Sequence, residues 1–287
     1  MKTHSKYIVV SLICLIFLCT VYVSNIREGF VPENDIPEAP IHYVTKDGFE
    51  QIIDKDKDGY LNSLSQADLS IRIAKDVDEY KRIAKNSFCP ESSLTDSLKK
   101  KIHHCCSDIE EQLGEYVDDY LYGVSIKKFL ELPWKFAIIC DNKYENGYPH
   151  TRDDIIVVSK NIINSYSKEK LAKLFIHEKT HVYQKKYPKV VAKYLRENGF
   201  VKTVKRSTFL DPANPDLDEY RYSHPQLESF YSKYKTSEPS SFHDIQYVRD
   251  KSSSEHPLEY LAYKMEKIYD NKLPIEDLES QLLDDNT

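Results

Sequence analysis

The sequence has no internal repeat, which sets aside solenoids, propellers and other arrayed architectures. It has no surplus of basic charge. Lysine and arginine number 40 against 46 acids, a formal net charge of -6, and the two signs are interspersed, so nucleic acid is not an expected partner. There is no N-x-S/T triplet, hence no acceptor for N-glycosylation, an absence that leaves the compartment open. Glycine is scarce, 7 residues against 22 tyrosines. At 40% hydrophobic and 30% charged, the composition is that of a globular chain with one substantial core and an extension.

The most telling absence is local. From Tyr7 to Ile26 there is no charged residue, and the run is almost wholly apolar. A helix of that length, at about 1.5 Å per residue, just spans the hydrocarbon layer of a bilayer. A cleaved secretory signal is the rival reading, but it would end in small residues, and here the end is Val21-Tyr22-Val23-Ser24-Asn25. An uncleaved anchor is therefore expected over 7–26. Lys2 and Lys6 precede it, whereas Arg27 is followed by Glu28, Glu33 and Asp35. This bias puts residues 1–6 in the cytosol and the main domain on the non-cytosolic side. Residues 27–45, with three prolines and no periodicity, read as a linker.

Beyond the anchor remain Cys89, Cys105, Cys106 and Cys140, which allow two disulfides in three pairings. His103-His104-Cys105-Cys106 cannot jointly chelate one ion, because four consecutive helical residues point in four directions. Disulfides or buried thiols are expected there. Residues 46–87 read as a helical region around an acidic turn. Asp54, Asp56 and Asp58 take the first, third and fifth places of an EF-hand calcium loop, Gly59 the sharp turn, Tyr60 the carbonyl place and Asn62 the ninth. Its twelfth place is Ser65 instead of the bidentate Glu. The expectation is a weak Ca2+ site, set against a solvated acidic turn between two helices.

His177-Glu178-Lys179-Thr180-His181 spells H-E-x-x-H inside a segment of helical periodicity, with Leu171, Leu174, Phe175 and Val182 on one face. Ser167 is placed to open this helix and Pro188 to end it. The two histidines lie about 40° apart round the axis, with Glu178 about 100° from the first and about 60° from the second. Two imidazoles can thus share one metal ion with a carboxylate beside its open position, as in a zinc hydrolase. The competing reading is a surface helix with two histidines and a charge.

Helices are also expected over 77–84 and, from Ser92 or Ser93, along Leu94, Leu98, Ile102, Ile109, Leu113, Val117 and Leu121. The runs Leu132–Cys140 and Asp154–Ser159 are strand-like and are split by a turn-rich loop. In this order of strand, loop, strand and H-E-x-x-H helix, the chain resembles the zincin metallopeptidases over residues 125–270. Its HEK-x-HVYQ helix after a PHTR loop is similar to zincin-like open reading frames of large DNA viruses. The resemblance implies an α+β fold with a small sheet packed on the metal helix. It also implies an edge strand lining a substrate cleft near His150, Thr151 and Arg152.

Zincins divide by their third metal ligand. The metzincin extension needs Gly and His where this chain has Gln184 and Tyr187, and the aspzincin Gly-Thr pair is absent. The gluzincin branch takes a Glu from a later helix, and Ser252–Asp270 is that helix, opened by Pro257. Glu259 is the expected ligand beside His177 and His181, ahead of Glu266 and then Glu255 or His256, although the nearly eighty residues from His181 are a long spacing. The insert 189–251 reads as irregular. Tyr220, Tyr222, His224, His243 and Tyr247 from it, and His150, are candidates for oxyanion or substrate contacts. Residues 88–275 would form the metallopeptidase domain and 276–287 an acidic tail. The function implied is a membrane-anchored Zn2+ peptidase in which Glu178 activates a zinc-bound water to cleave a peptide or protein substrate. The alternatives are a catalytically inactive zincin-fold binding protein tethered to a membrane, and a calcium-binding membrane protein with an accidental H-E-x-x-H.

Overall fold

The computed structural model describes residues 40–207, 210–225, 230–249 and 256–271. The predicted anchor 7–26, its cytosolic tail, most of the linker, Glu255 and the acidic tail lie outside the described residues. Among those described, no helix is long and apolar enough to cross a membrane.

The architecture is α+β. The chain opens with β1 (Ile41–Tyr43), α1 (Lys46–Lys55), α2 (Tyr60–Ser63), α3 (Gln66–Ile71) and α4 (Val77–Ser87). Next come α5 (Asp96–Gly114), the hairpin β2 (Tyr120–Leu121) and β3 (Val124–Ser125), and α6 (Ile126–Glu131). The predicted long helix therefore stops earlier than Leu121. Tyr122 and Gly123 turn with positive φ, and a Cβ at Gly123 would lie 2.5 Å from the Tyr194 ring, so only glycine fits. Then follow β4 (Trp134–Ile139), β5 (His150–Arg152), β6 (Ile155–Ser159), α7 (Lys160–Ser165) and α8 (Lys168–Lys186). The chain continues with α9 (Pro188–Glu197), β7 (Val201–Lys205), β8 (Tyr220–Ser223), β9 (Phe230–Tyr234), β10 (Ile245–Arg249) and α10 (Pro257–Asn271).

The central sheet has the order β1-β4-β6-β5, with β5 as an antiparallel edge on otherwise parallel strands. Side chains alternate across it. Trp134, Phe136, Ile138, Ile156 and Val158 join the core of α5 and α8, whereas Ala137, Ile139, Ile155 and Val157 join Phe49, Ile53, Tyr80 and Ala84 of the N-terminal helices. Both faces are buried, which is why β4 and β6 read as continuous apolar runs. Each such Ile or Val contributes roughly 1.5–3 kcal/mol by leaving water. The helices of 46–87 thus form the second wall of the sheet. The Cys89–Cys140 disulfide ties the end of that wall to the end of β4, and Cys105 and Cys106 are buried thiols.

Two stretches expected to be irregular hold regular elements among their described residues. The linker contributes β1, paired in parallel with β4 from Ile41 opposite Trp134. The insert holds α9 and a second antiparallel sheet in the order β10-β9-β8-β7. All five residues of β7 are exposed, so it has no buried face to give an alternating pattern.

Candidate metal centre

Ser167 caps α8 by accepting the amide of Lys170, and the helix ends at Tyr187 before Pro188. Phe175 to Gln184 are buried without a break, so α8 runs through the core. Its sheet side carries Phe175, against Trp134 and Phe136, and Lys179, whose ammonium sits 3.9 Å from the Trp134 ring centroid. Burial pulls that ammonium down to about 8. The other side meets α10. His256, a fallback ligand in the sequence, instead caps α10: its Nδ1 accepts the Leu258 amide and its Nε2 faces Asp218.

One turn into α10, Glu259 reaches the two histidines. His177 Nε2 lies 3.2 Å from Glu259 Oε2 and 3.1 Å from His181 Nε2, and His181 Nε2 is 3.7 Å from Glu259 Oε1. These three buried side chains form the one group among the described residues that could hold a metal ion. Their outer nitrogens are fixed. His177 Nδ1 donates to Glu266 Oε1 at 2.6 Å, and His181 Nδ1 donates to Gln184 Oε1 at 2.9 Å. Gln184 in turn donates to the Leu258 carbonyl, which sets its amide orientation. In the neutral form of each ring the hydrogen is thereby held on Nδ1, and Nε2 can turn its lone pair to a cation. A tetrahedral centre with bonds of about 2.0–2.1 Å separates its ligand atoms by about 3.3–3.4 Å, and one ligand atom from each of the three residues lies within 4.8 Å of the others. The donor set fits a metal ion.

Without a metal, the carboxylates draw a proton onto the cluster. Burial would raise Glu259, but His181 and His177 hold its carboxyl down at about 2. Burial works against a charged His177, yet Glu259 and Glu266 raise its pKa well above the usual imidazole range, while burial lowers that of His181. Glu178 goes the other way. Burial first, then Asp216 and Glu259, lift its carboxyl well above the carboxylate range against the pull of His177.

Glu178 is held from the edge strand. Thr151 Oγ1 lies 3.1 Å from both Glu178 Oε2 and the Glu178 carbonyl. The backbone of Thr151 is itself clamped: its amide donates to Asp216 Oδ1 at 2.7 Å, and Lys185 Nζ donates to its carbonyl at 2.6 Å. Side chains therefore close the edge of β5 at this residue.

The calcium loop has another occupation. Asp54 pairs with Lys85, whereas Asp56 and Asp58 receive the fully buried guanidinium of Arg152, with Nη2 2.8 Å from Asp56 Oδ1 and Nε 2.9 Å from Asp58 Oδ2. Asp58 also accepts the Asp153 amide and lies 3.7 Å from Lys185 Nζ. Tyr60 donates its hydroxyl to Glu145, and its carbonyl accepts Ser63 Oγ. Asn62 is exposed. The cation facing Asp56 and Asp58 is an arginine ninety-four residues downstream of Asp58.

His177, Glu178, Glu259 and Glu266 line a cleft of about 980 Å³, with His150 and Asp216 across from them. His150 is buried there, its Nδ1 donating to the Tyr148 carbonyl, and burial lowers its pKa. His243 also lines the cleft. Tyr222 and His224 do not: Tyr222, on β8, donates to Asp218, and His224, just after that strand, donates from Nε2 to the Asn198 carbonyl. Tyr220 borders a separate small cavity, and the side chain of Tyr247 lies outside the described residues. Tyr263 was missed. Its ring meets His177 edge-on at 4.8 Å, four residues after Glu259 and so on the same helix face, a spacing the sequence displays. Gln184 likewise follows His181 at a readable spacing, whereas Asp216 comes from a turn with no local signal. No protein-family model, curated protein or solved structure matches the chain.

Proposed function

We propose that this chain is a gluzincin-like zinc peptidase of the zincin class, anchored by an N-terminal span over 7–26 with its main domain on the non-cytosolic side. The observation that carries the reading is the meeting of His177, His181 and Glu259 in one buried group, with Glu178 beside it in a peptide-sized cleft. The Cys89–Cys140 disulfide supports the placement, since such bonds persist in oxidising compartments.

Zinc held by these three side chains supplies Lewis acidity toward a peptide carbonyl and toward water. Glu178 takes the proton of the attacking water and passes it to the leaving amine. Thr151 keeps the Glu178 carboxylate in one orientation, Glu266 and Gln184 keep the imidazoles in the required tautomer, and Tyr263 offers a phenol for the developing oxyanion.

The test is metal content and peptide cleavage by the full-length protein. About one zinc per chain is expected, lost in His181→Ala, and Glu178→Gln should keep zinc while cleaving about 10²–10⁴-fold more slowly. Zinc without turnover on a broad peptide library would leave a structural metal centre. No zinc would sink both readings.

A further inference from the structure

We infer that the cleft selects peptides carrying aspartate or glutamate side chains, seated against a lysine rim at the N-terminal end of α8. The inference rests on the peptidase reading and names its substrate class. Lys170 and Lys173, from the first two turns of α8, and Lys235, just after β9, line the same cleft as His177 and Glu178. Lys170, Leu174 and His177 follow at helical spacing, so the rim and the metal centre share one helix face.

The balance of charge inside the cleft decides the sign of the ligand. Each carboxylate that lines it is committed. Glu145 holds Arg72, Asp216 takes the Thr151 amide, Glu178 takes the Thr151 hydroxyl, and Glu259 and Glu266 face His177. Lys170 and Lys235 are not used up in this way. Among the described residues no carboxylate pairs with Lys170, which lies 4.1 Å over the Tyr166 ring, or with Lys235, which reaches the His243 carbonyl. Lys173 pairs at 3.4 Å with Glu169, whose side chain is 72% exposed, and an ion pair of that kind is exchangeable. Among the described residues, Lys170 and Lys235 are thus lining cations with no carboxylate partner, in a chain whose net charge is -6.

The lysines also stand at the wrong end of their helix for stability. The N-terminus of α8 is the positive end of its dipole, where acids are favoured and cations disfavoured, yet Lys168, Lys170 and Lys173 cluster there against a single first-turn acid, Glu169. A substrate carboxylate at this end relieves both the dipole and the clustered cations.

The experiment compares three peptides of equal length whose side chains flanking the scissile bond are acidic, neutral or basic. At low salt the zinc-loaded full-length protein should cleave the acidic peptide with kcat/KM roughly three- to tenfold above the neutral one. The ratio should shrink towards one in high salt, and the triple charge reversal Lys170→Glu, Lys173→Glu, Lys235→Glu should invert it. Turnover with no preference and no salt dependence would overturn the inference and leave the peptidase reading intact. Fluorescence anisotropy of the same peptides on Glu178→Gln reads the preference without turnover. Acidic peptides bound but never cleaved by the parent would overturn the peptidase reading alone, and equal binding of all three would overturn the lysine rim.

Discussion

Two acidic clusters meet the edge strand β5, and they are answered differently. In the loop, Asp56 and Asp58 face Arg152 and Lys185, cations that the chain itself supplies. In the candidate metal centre, Glu259 faces two imidazoles, whose outer nitrogens are already tied to Glu266 and Gln184, and the neutral side-chain amide of Asn214. The first cluster is electrically complete. The second is complete only when a proton or a metal ion joins it. Motif spacing advertised both as metal sites, and the difference lies in the residues that complete them.

The widest break in the comparison comes from unbalancing the loop. Asp58→Asn leaves a fully buried guanidinium short of a partner, a change expected to cost about 3–5 kcal/mol in urea unfolding at neutral pH. Millimolar calcium should leave the parent's midpoint where it is. Arg152→Met removes the built-in cation, and that variant should gain a calcium response. If the parent responds to calcium as strongly, the loop and the metal centre are alike after all. Acid gives the same contrast. Burial would raise Asp58, but Arg152 and Lys185 hold its carboxyl well below the usual range. Its contribution is therefore full above the unfolded carboxylate pKa and is lost as pH falls through the folded value, so the parent should weaken below about pH 4. Asp56, raised by burial with Asp58 adding to it, opposes this in part. Asp58→Asn should flatten that acid limb.

A smaller effect is expected from the imidazole supports. Glu266→Gln and Gln184→Leu leave all three ligands in place, yet each should weaken zinc binding about 10–100-fold in a competition assay with a chromophoric chelator. Unchanged affinity in both would mean that burial alone orients His177 and His181.

What the sequence displayed and what it hid divide along the same line. His177, Glu178 and His181 are one turn of one helix, so their shared face is a local property. Glu259 was legible because Pro257 marks the start of a helix and places the acid in its first turn. The strands β4 and β6 were legible because both their faces are buried. Arg152 was not, since its bonds to Asp56 and Asp58 close across more than ninety residues and nothing at either end announces the other. The acids of the loop could be read, but not the cation that satisfies them. Nor could the sheet of β7 to β10 be read, because an exposed strand such as β7 leaves no alternation.

The finest cut falls on Thr151, where the two clusters join. Lys185, neighbour of Asp58, holds its carbonyl, Asp216 holds its amide, and its hydroxyl holds Glu178. Thr151→Val keeps the shape of the side chain and the backbone clamps but deletes the hydroxyl's contacts with the Glu178 carboxyl and carbonyl, a loss of about 1.5 kcal/mol. Cleavage should then slow by about tenfold in kcat, with KM within about twofold and zinc content unchanged, because no ligand is touched. Thr151→Ser restores a hydroxyl and should recover most of the rate, which a purely structural defect would not allow. A valine variant that turns over like the parent would separate the clusters, leaving the acidic loop to brace the fold and burial alone to aim Glu178.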